Sequence, residues 1–189
     1  MNDVQLVHDA FVLKESAGAI ELVEGLLHTE QAPPPAVERL LDRVLHRLDR
    51  LGTPARDRDA VFALLLRGEA LRALGRLPES IAAFQTVANR DHEVVAAWVG
   101  LGWCHKRTGR LDLAIDCLRQ ALTASPDEPL LHYNLACYLS LSGDVAAAVE
   151  HLTRAISREG RYRTLTMGER DFDPIRSDPR FLEVTRVAV

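Results

Sequence analysis

The sequence predicts an all-α solenoid of helix–turn–helix units, with extra helices before the units and a capping helix after them. Two observations support this fold class. Apolar and small residues recur at a fixed offset of 34 residues between about residues 61 and 160, and helical periodicity continues on both sides of that region. A period of this length is typical of helix pairs, which bury their apolar faces by stacking on one another. No segment has a convincing strand pattern.

The repeat is clearest in columns of residues that hold the same place in each unit. Glycines form the turn column, and the other columns hold apolar or small side chains. The columns are Gly75, Gly109 and Gly143; Ile81, Ile115 and Val149; Phe84, Leu118 and Leu152; Val87, Ala121 and Ala155; and Gly68, Gly102 and Ala136. We expect the turn glycines to take the left-handed backbone region, which glycine enters without a steric penalty.

Helical periodicity begins at the N-terminus, over residues 3–29. The apolar positions are Val4, Val7, Phe11, Ile20, Val23 and Leu27. Ser16-Ala17-Gly18 either splits this region into two helices or weakens a single one. The run Pro33-Pro34-Pro35 then ends the helix, because proline lacks the amide donor and disfavours a helical predecessor.

A second helix precedes the repeats and has one clear apolar stripe. The stripe comprises Val37, Leu40, Leu41, Val44, Leu48 and Leu51. Gly52 is placed for a left-handed C-terminal cap. Thr53-Pro54 predicts the start of the next helix, since a capping hydroxyl is followed by a first-turn proline.

The periodicity divides the chain into three parts. Residues 1–60 form an irregular helical section, residues 61–160 hold three repeats (61–94, 95–128 and 129–160), and residues 161–189 form a helical cap. In the cap we expect a helix over Arg161–Arg170, and Asp173-Pro174 and Asp178-Pro179 each predict a helix start. Phe172, Ile175, Phe181, Leu182 and Val184 supply the apolar face that would shield the last repeat.

These columns resemble the tetratricopeptide repeat, and the match covers about residues 61–160. The second unit matches best, with Trp98, Leu101, Gly102, His105, Gly109, Ala114, Leu118, Ala121 and Pro126. The first unit departs at Arg67 and Ser80, where the family prefers leucine and alanine, and the third carries His132 in the tryptophan column. The tail from Asp171 to Phe181 also looks like segments that close such arrays in many bacterial proteins.

The resemblance implies a right-handed superhelix whose first helices line a concave groove that binds another protein. The groove positions are Phe62, Leu65, Glu69, Arg72, Ala96, Val99, Trp103, Lys106, Leu130, Tyr133, Asn134 and Cys137. This lining is largely apolar, and we expect it to take an extended or amphipathic segment, with Trp103 and Tyr133 as anchors. Alternatively, the chain's own N-terminal helices fill the groove and the protein is a self-capped structural module.

Two specialised members of the family compare differently with this chain. The clamp that binds acidic chaperone C-termini uses lysine, arginine and asparagine, and of the matching positions only Asn134 fits, while Glu69 would repel a carboxylate. Three-repeat chaperones of type III secretion translocators share the length, the extra N-terminal helices and an apolar groove. Their middle repeat is similar to Gly100–Cys104 and their last to Ala136–Leu139, so a role of this kind stays an alternative.

Composition narrows the remaining classes of function. The formal net charge of −4 disfavours a nucleic-acid partner. Cys104, Cys117 and Cys137 show no zinc spacing and predict reduced thiols, and with no export signal or membrane-spanning run we expect a cytoplasmic location. His105 and His132 replace large core residues, so we expect packing rather than metal ligation. No catalytic motif occurs, and we expect neither an enzyme nor a cofactor. A homodimer through residues 1–60 stays open.

Overall fold

In the computed structural model, which describes residues 3–26, 33–54 and 56–186, the chain is helical and no strand occurs among those residues. It divides into two compact units, Met1–Asp91 and His92–Val189. The helices of the first unit are α1 (Asp3–Leu26), α2 (Pro35–Leu51), α3 (Asp57–Ala73) and α4 (Leu77–Arg90). Those of the second are α5 (Val95–Arg107), α6 (Leu111–Ala124), α7 (Pro129–Ser142), α8 (Val145–Arg158), α9 (Arg161–Gly168), a 3₁₀ helix (Arg170–Ile175) and α10 (Pro179–Thr185).

Helix α1 is continuous through Ser16-Ala17-Gly18, and it packs on both α2 and α3. The stripe that it buries consists of Asp9, Leu13, Ser16, Ile20 and Val23. The predicted apolar positions Val4, Val7 and Phe11 lie outside this stripe and are exposed, whereas Ile20 and Val23 are buried in it. Leu27 lies outside the described residues.

Helix α2 buries the predicted stripe in the core of the first unit. Leu41, Val44 and Leu48 are buried together with Leu45, and they pack on Leu66, Ala70 and Leu71 of α3. Gly52 follows the helix with a φ of 68° and a ψ of −139°, so it has a positive φ but not the left-handed helical conformation that was predicted for this cap. The apolar stripe of α2 therefore packs against other helices of the same unit.

The start of α3 lies further along the chain than Thr53-Pro54 predicts. The helix begins at Asp57, and Pro54 is a buried residue of the connection instead of a first-turn proline. The carboxylate of Asp57 forms an ion pair with Arg90 of α4, and acidic side chains are favoured at a helix N-terminus. Thr53-Pro54 as a helix start is therefore wrong.

In the second unit, successive helices from α5 to α8 pack on one another around a shared core. Gly109 and Gly143 join them with φ values of 75° and 81°, and Gly75 in the first unit has a φ of 72°. The left-handed conformation predicted for the three turn glycines is confirmed.

The C-terminal helices pack on α7 and α8. Asp178 caps α10 by accepting a hydrogen bond from the Arg180 amide, as predicted. Asp173-Pro174 does not start a helix, because the 3₁₀ helix begins at Arg170 and Pro174 lies inside it. Phe172, Ile175 and Phe181 are buried in the core of the unit.

No helix among the described residues combines the length and the apolarity needed to cross a membrane.

Candidate partner-binding surface

Helix α5 has one face in the core and a second face that carries the predicted groove positions. Ala97, Leu101 and Cys104 are fully buried. The groove positions recur every three or four residues and so share the other face of the helix; they are Ala96, Val99, Trp103 and Lys106. Trp103 is half-buried, and the guanidinium of Arg107 lies 5.6 Å from the centre of its ring.

Helix α7 presents only part of its predicted groove face. Leu130 is 46% exposed and Asn134 is half-buried, whereas Tyr133 is 7% and Cys137 4% exposed. The Tyr133 ring lies 4.9 Å from that of Tyr162 in α9 and 5.7 Å, edge-on, from that of Phe172 in the 3₁₀ helix, measured between ring centres. The chain's own C-terminal segment thus covers two groove positions, which corrects the expectation that they are open to a partner.

The same segment also contacts α5. Asp171 forms an ion pair with Lys106, and the Lys106 ammonium lies 5.5 Å from the centre of the Tyr138 ring of α7. Both partners of this ion pair are largely buried. The part of the predicted lining that the tail leaves accessible in this unit is Ala96, Val99, Trp103, Leu130 and Asn134, which we call the α5–α7 surface.

The other predicted groove positions lie on α3 in the first unit. Phe62 is 40% exposed and Leu65 is half-buried. Glu69 and Arg72 form an ion pair with an N–O distance of 2.6 Å, so the charge of Glu69 is partly neutralised within the helix. Phe62 is the main apolar side chain that this stripe offers.

Arg176 has a structural role in the C-terminal segment that was not predicted from the sequence. Besides its ion pair with Asp173, its guanidinium donates hydrogen bonds to the carbonyls of Thr166 and Glu169, at 3.1 and 2.7 Å. Asp178 forms its ion pair with Arg180. Arg176 therefore ties the end of α9 to the 3₁₀ helix, and only its place between two prolines hinted at this role.

His105, His132 and the three cysteines are buried within the helix packing. His105 is buried, and its Nδ1 atom has no hydrogen-bond partner. Its burial and, to a smaller extent, the charge of Arg110 lower the pKa of His105. Burial raises the pKa of the Cys117 thiol to about 11 and that of Cys137 still further, which disfavours a nucleophilic thiolate. Among the described residues, no group of three or more His, Cys, Asp or Glu side chains could hold a metal ion.

Trp98 is half-buried and packs against the core of the second unit, in keeping with its column. Its indole nitrogen donates a hydrogen bond of 2.9 Å to the carbonyl of His92.

The sequence profile of the tetratricopeptide repeat family matches residues 35–93 and 65–129. The chain therefore belongs to the tetratricopeptide repeat family. The match begins at α2, so it includes a helix that precedes the first of the three predicted repeats. The all-α solenoid class is confirmed, and repeats of this family make the chain a protein–protein interaction module in the general sense.

A curated relative and several solved structures are similar to this chain. The BBSome complex member BBS4 homolog of Drosophila melanogaster is 26% identical over 155 residues, and the match covers 76% of this chain. The chain spans about a third of that relative's length, since the match covers 31% of it.

The solved structures show the fold. MamA is 19% identical with a TM-score of 0.55, covering 78% of this chain and 84% of its own. The thermophilic protein TTC0263 from Thermus thermophilus is 17% identical with a TM-score of 0.57, covering 90% and 86%. YrrB, a tetratricopeptide repeat protein with an unusual peptide-binding site, is 13% identical with a TM-score of 0.56, covering 77% and 78%.

Proposed function

We propose that this protein is a non-catalytic adaptor that binds an extended or amphipathic segment of another protein on the α5–α7 surface. The observation that carries the proposal is Trp103, a large, half-buried aromatic side chain on a helix whose opposite face is fully buried. Tryptophan is among the residues that contribute most to binding energy in interfaces. Phe62 on α3 is a second exposed aromatic at a predicted groove position.

The chemistry of the surface favours an apolar partner segment. Val99, Trp103 and Leu130 supply apolar area, and Asn134 supplies a side-chain amide that can pair with a peptide backbone. One cation at the edge of this surface, Lys106, is paired with Asp171 of the tail, and another, Arg107, lies over the Trp103 ring. An acidic side chain of a partner would have to displace Asp171 to reach Lys106.

The test is affinity purification from the native cell with three baits. We expect Trp103→Glu to lose the partner, because it places a charge in an apolar contact, while Leu113→Glu keeps it. Leu113 is the matched control, since it is also a partly exposed apolar residue but lies on α6. Circular dichroism of all three proteins checks that each is folded. Partner recovery that is equal for the two variants would contradict the proposal.

Two alternatives predict other outcomes of the same experiment. A strongly apolar client that copurifies with the wild type would indicate a chaperone similar to those of type III secretion translocators. A wild-type bait that recovers no partner would favour the second alternative, a self-capped module.

We also propose a homodimer through α1 as a second interaction. Val7 is 70% and Phe11 62% exposed, and Leu22 and Val4 are exposed on the same side of the helix. The apolar stripe of α2 does not serve this contact, because it is buried within its own unit. We further propose a cytoplasmic location, which is supported by three buried cysteines that form no disulfide.

A further inference from the structure

Two histidines of the last repeat are hydrogen-bonded directly to each other. His132 of α7 and His151 of α8 approach with their Nδ1 atoms 2.8 Å apart, and their rings are stacked with centres 5.1 Å apart. The Nε2 of His132 lies 2.9 Å from the carbonyl oxygen of Pro126, in the turn between α6 and α7. The pair thus joins α7 to α8, and through Pro126 it also fixes the preceding turn.

The hydrogen-bond partners determine where the protons lie. The Pro126 carbonyl can only accept, so Nε2 of His132 must carry a hydrogen. In a neutral ring the Nδ1 of His132 is then a bare acceptor, and Nδ1 of His151 must be the donor. These tautomers follow from the bonding pattern, and they leave Nε2 of His151 as the basic nitrogen of the pair.

The hydrogen-bonded pair can bind one added proton but not two. One added proton goes to Nε2 of His151 and leaves the bond between the two Nδ1 atoms intact, with an imidazolium as the donor. A second added proton has only Nδ1 of His132 available, and two N–H groups would then point at each other across 2.8 Å. Two like charges at this distance, together with two opposed donors, cannot keep the contact.

We propose that the His132–His151 pair is a proton-sensitive latch between α7 and α8, which holds with no added proton or one and opens when both imidazoles are charged. Opening separates the two helices at this point and releases the Pro126 turn at the edge of α7. Nothing in the repeat fold itself requires this device, because the corresponding columns of the second unit hold Trp98 and Cys117.

The charged groups around the pair disfavour a second proton on the closed pair, and they therefore favour its opening. On α8 the pair faces Arg154 and Glu150, and Arg119 approaches from α6. Burial, then His132 and Arg154, lower the pKa of His151. A cavity of about 330 Å³ next to His132 is lined also by Asp127, Arg154 and Arg158, and Asp127 is already paired with Arg158. The nearby carboxylates Glu150 and Asp127 both have arginine partners.

The direction of the pH effect follows from the number of protons that the closed and the open pair can bind. Because the open or unfolded pair can bind two added protons and the closed pair only one, the closed pair stabilises the fold above the ordinary histidine pKa of about 6.5, and this stability is lost as the pH falls below it. We expect amide exchange in α7 and α8, corrected for its intrinsic pH dependence, to be about tenfold faster at pH 5 than at pH 7.5, because the open pair binds one proton more than the closed pair.

The first test is nitrogen-15 NMR of the histidine rings in the wild-type chain at pH 7.5. We expect His132 as the Nε2–H tautomer and His151 as the Nδ1–H tautomer, with a scalar coupling across the hydrogen bond between them. The same tautomer in both rings, or no coupling, would overturn the proposal without any variant.

The second test compares His151→Gln with His46→Gln. A glutamine at 151 can donate to Nδ1 of His132 at neutral pH and turn its oxygen toward a protonated His132 in acid, so we expect the acid-induced exchange in α7 and α8 to disappear. His46 is an exposed histidine of α2 in the first unit, and its replacement removes one titrating group elsewhere. If His151→Gln and His46→Gln both keep the wild-type pH dependence in α7 and α8, the latch does not exist.

Discussion

Three residues of the first unit, Gly68, Ser80 and Phe84, fit together where α3 packs on α4. The Phe84 ring is buried against Gly68 so closely that a Cβ at position 68 would lie 2.6 Å from its Cε1 atom. Ser80, which departs from the alanine of the family pattern, donates a buried hydrogen bond of 2.8 Å to the Gly68 carbonyl. The hydroxyl is therefore paired, and the departure is accommodated within the helix pair.

We predict that Gly68→Ala destabilises the protein by about 1–3 kcal/mol, because the added methyl group meets a ring that has no free space. Gly18→Ala is the matched control. It lies inside α1 with nothing within 4 Å of a Cβ, so we expect a gain of up to about 1 kcal/mol from helix propensity alone. Urea denaturation measures both. Equal gains for the two variants would mean that the Phe84 ring moves aside at no cost.

Glycines also show what the sequence could and could not predict at this scale. The left-handed turn at Gly109 was predictable, because a positive φ between two helices is a local requirement that glycine meets. The tight contact at Gly68 was predictable only as a column of small residues, because its distance to Phe84 depends on how two helices pack.

At the scale of the helix, α1 has two apolar faces. Leu13, Ile20 and Val23 face α2 and α3, while Val7 and Phe11 face away from them. Periodicity alone predicted that residues 3–29 would be helical, but it could not tell which face would be buried, since both faces have helical spacing. The C-terminal segment is a similar case. Its apolar residues could be predicted from the sequence, but the groove positions that they would cover could not.

For the tail, we predict that Phe172→Ala costs about 3–5 kcal/mol of folding stability, since the side chain is fully buried between Tyr133 and Phe181. Asp171→Asn should cost much less, because the neutral amide keeps a polar contact with Lys106. Chemical denaturation of the two variants beside the wild type measures the difference. A small loss for Phe172→Ala would show that the tail contributes little to the second unit.

At the scale of the whole molecule, the family and the kind of function followed from the 34-residue period, while the partner did not. A period is written into every repeat and does not depend on any one contact. A partner is selected by a few exposed side chains, and Tyr133 illustrates the difficulty, since it has a groove position in the sequence and a buried one in the structure.

Self-association belongs to this scale. We predict that the wild type is a dimer by light scattering after size-exclusion chromatography, and that Phe11→Glu makes it monomeric by placing a charge on the exposed apolar face of α1. Ala10→Glu is the control, since Ala10 is an exposed residue of the same helix on a different side. A monomeric wild type, or a dimer that survives Phe11→Glu, would rule out this contact.

Because its three cysteines are buried, the reactivity of these thiols measures how often the second unit opens. Cys104, Cys117 and Cys137 all lie between His92 and Val189, and none is accessible in the folded protein. An alkylating reagent can therefore modify them only during transient openings of this unit. The rate of mass gain would measure how often each thiol becomes accessible, and Cys137 would record how often the C-terminal segment lifts off α7.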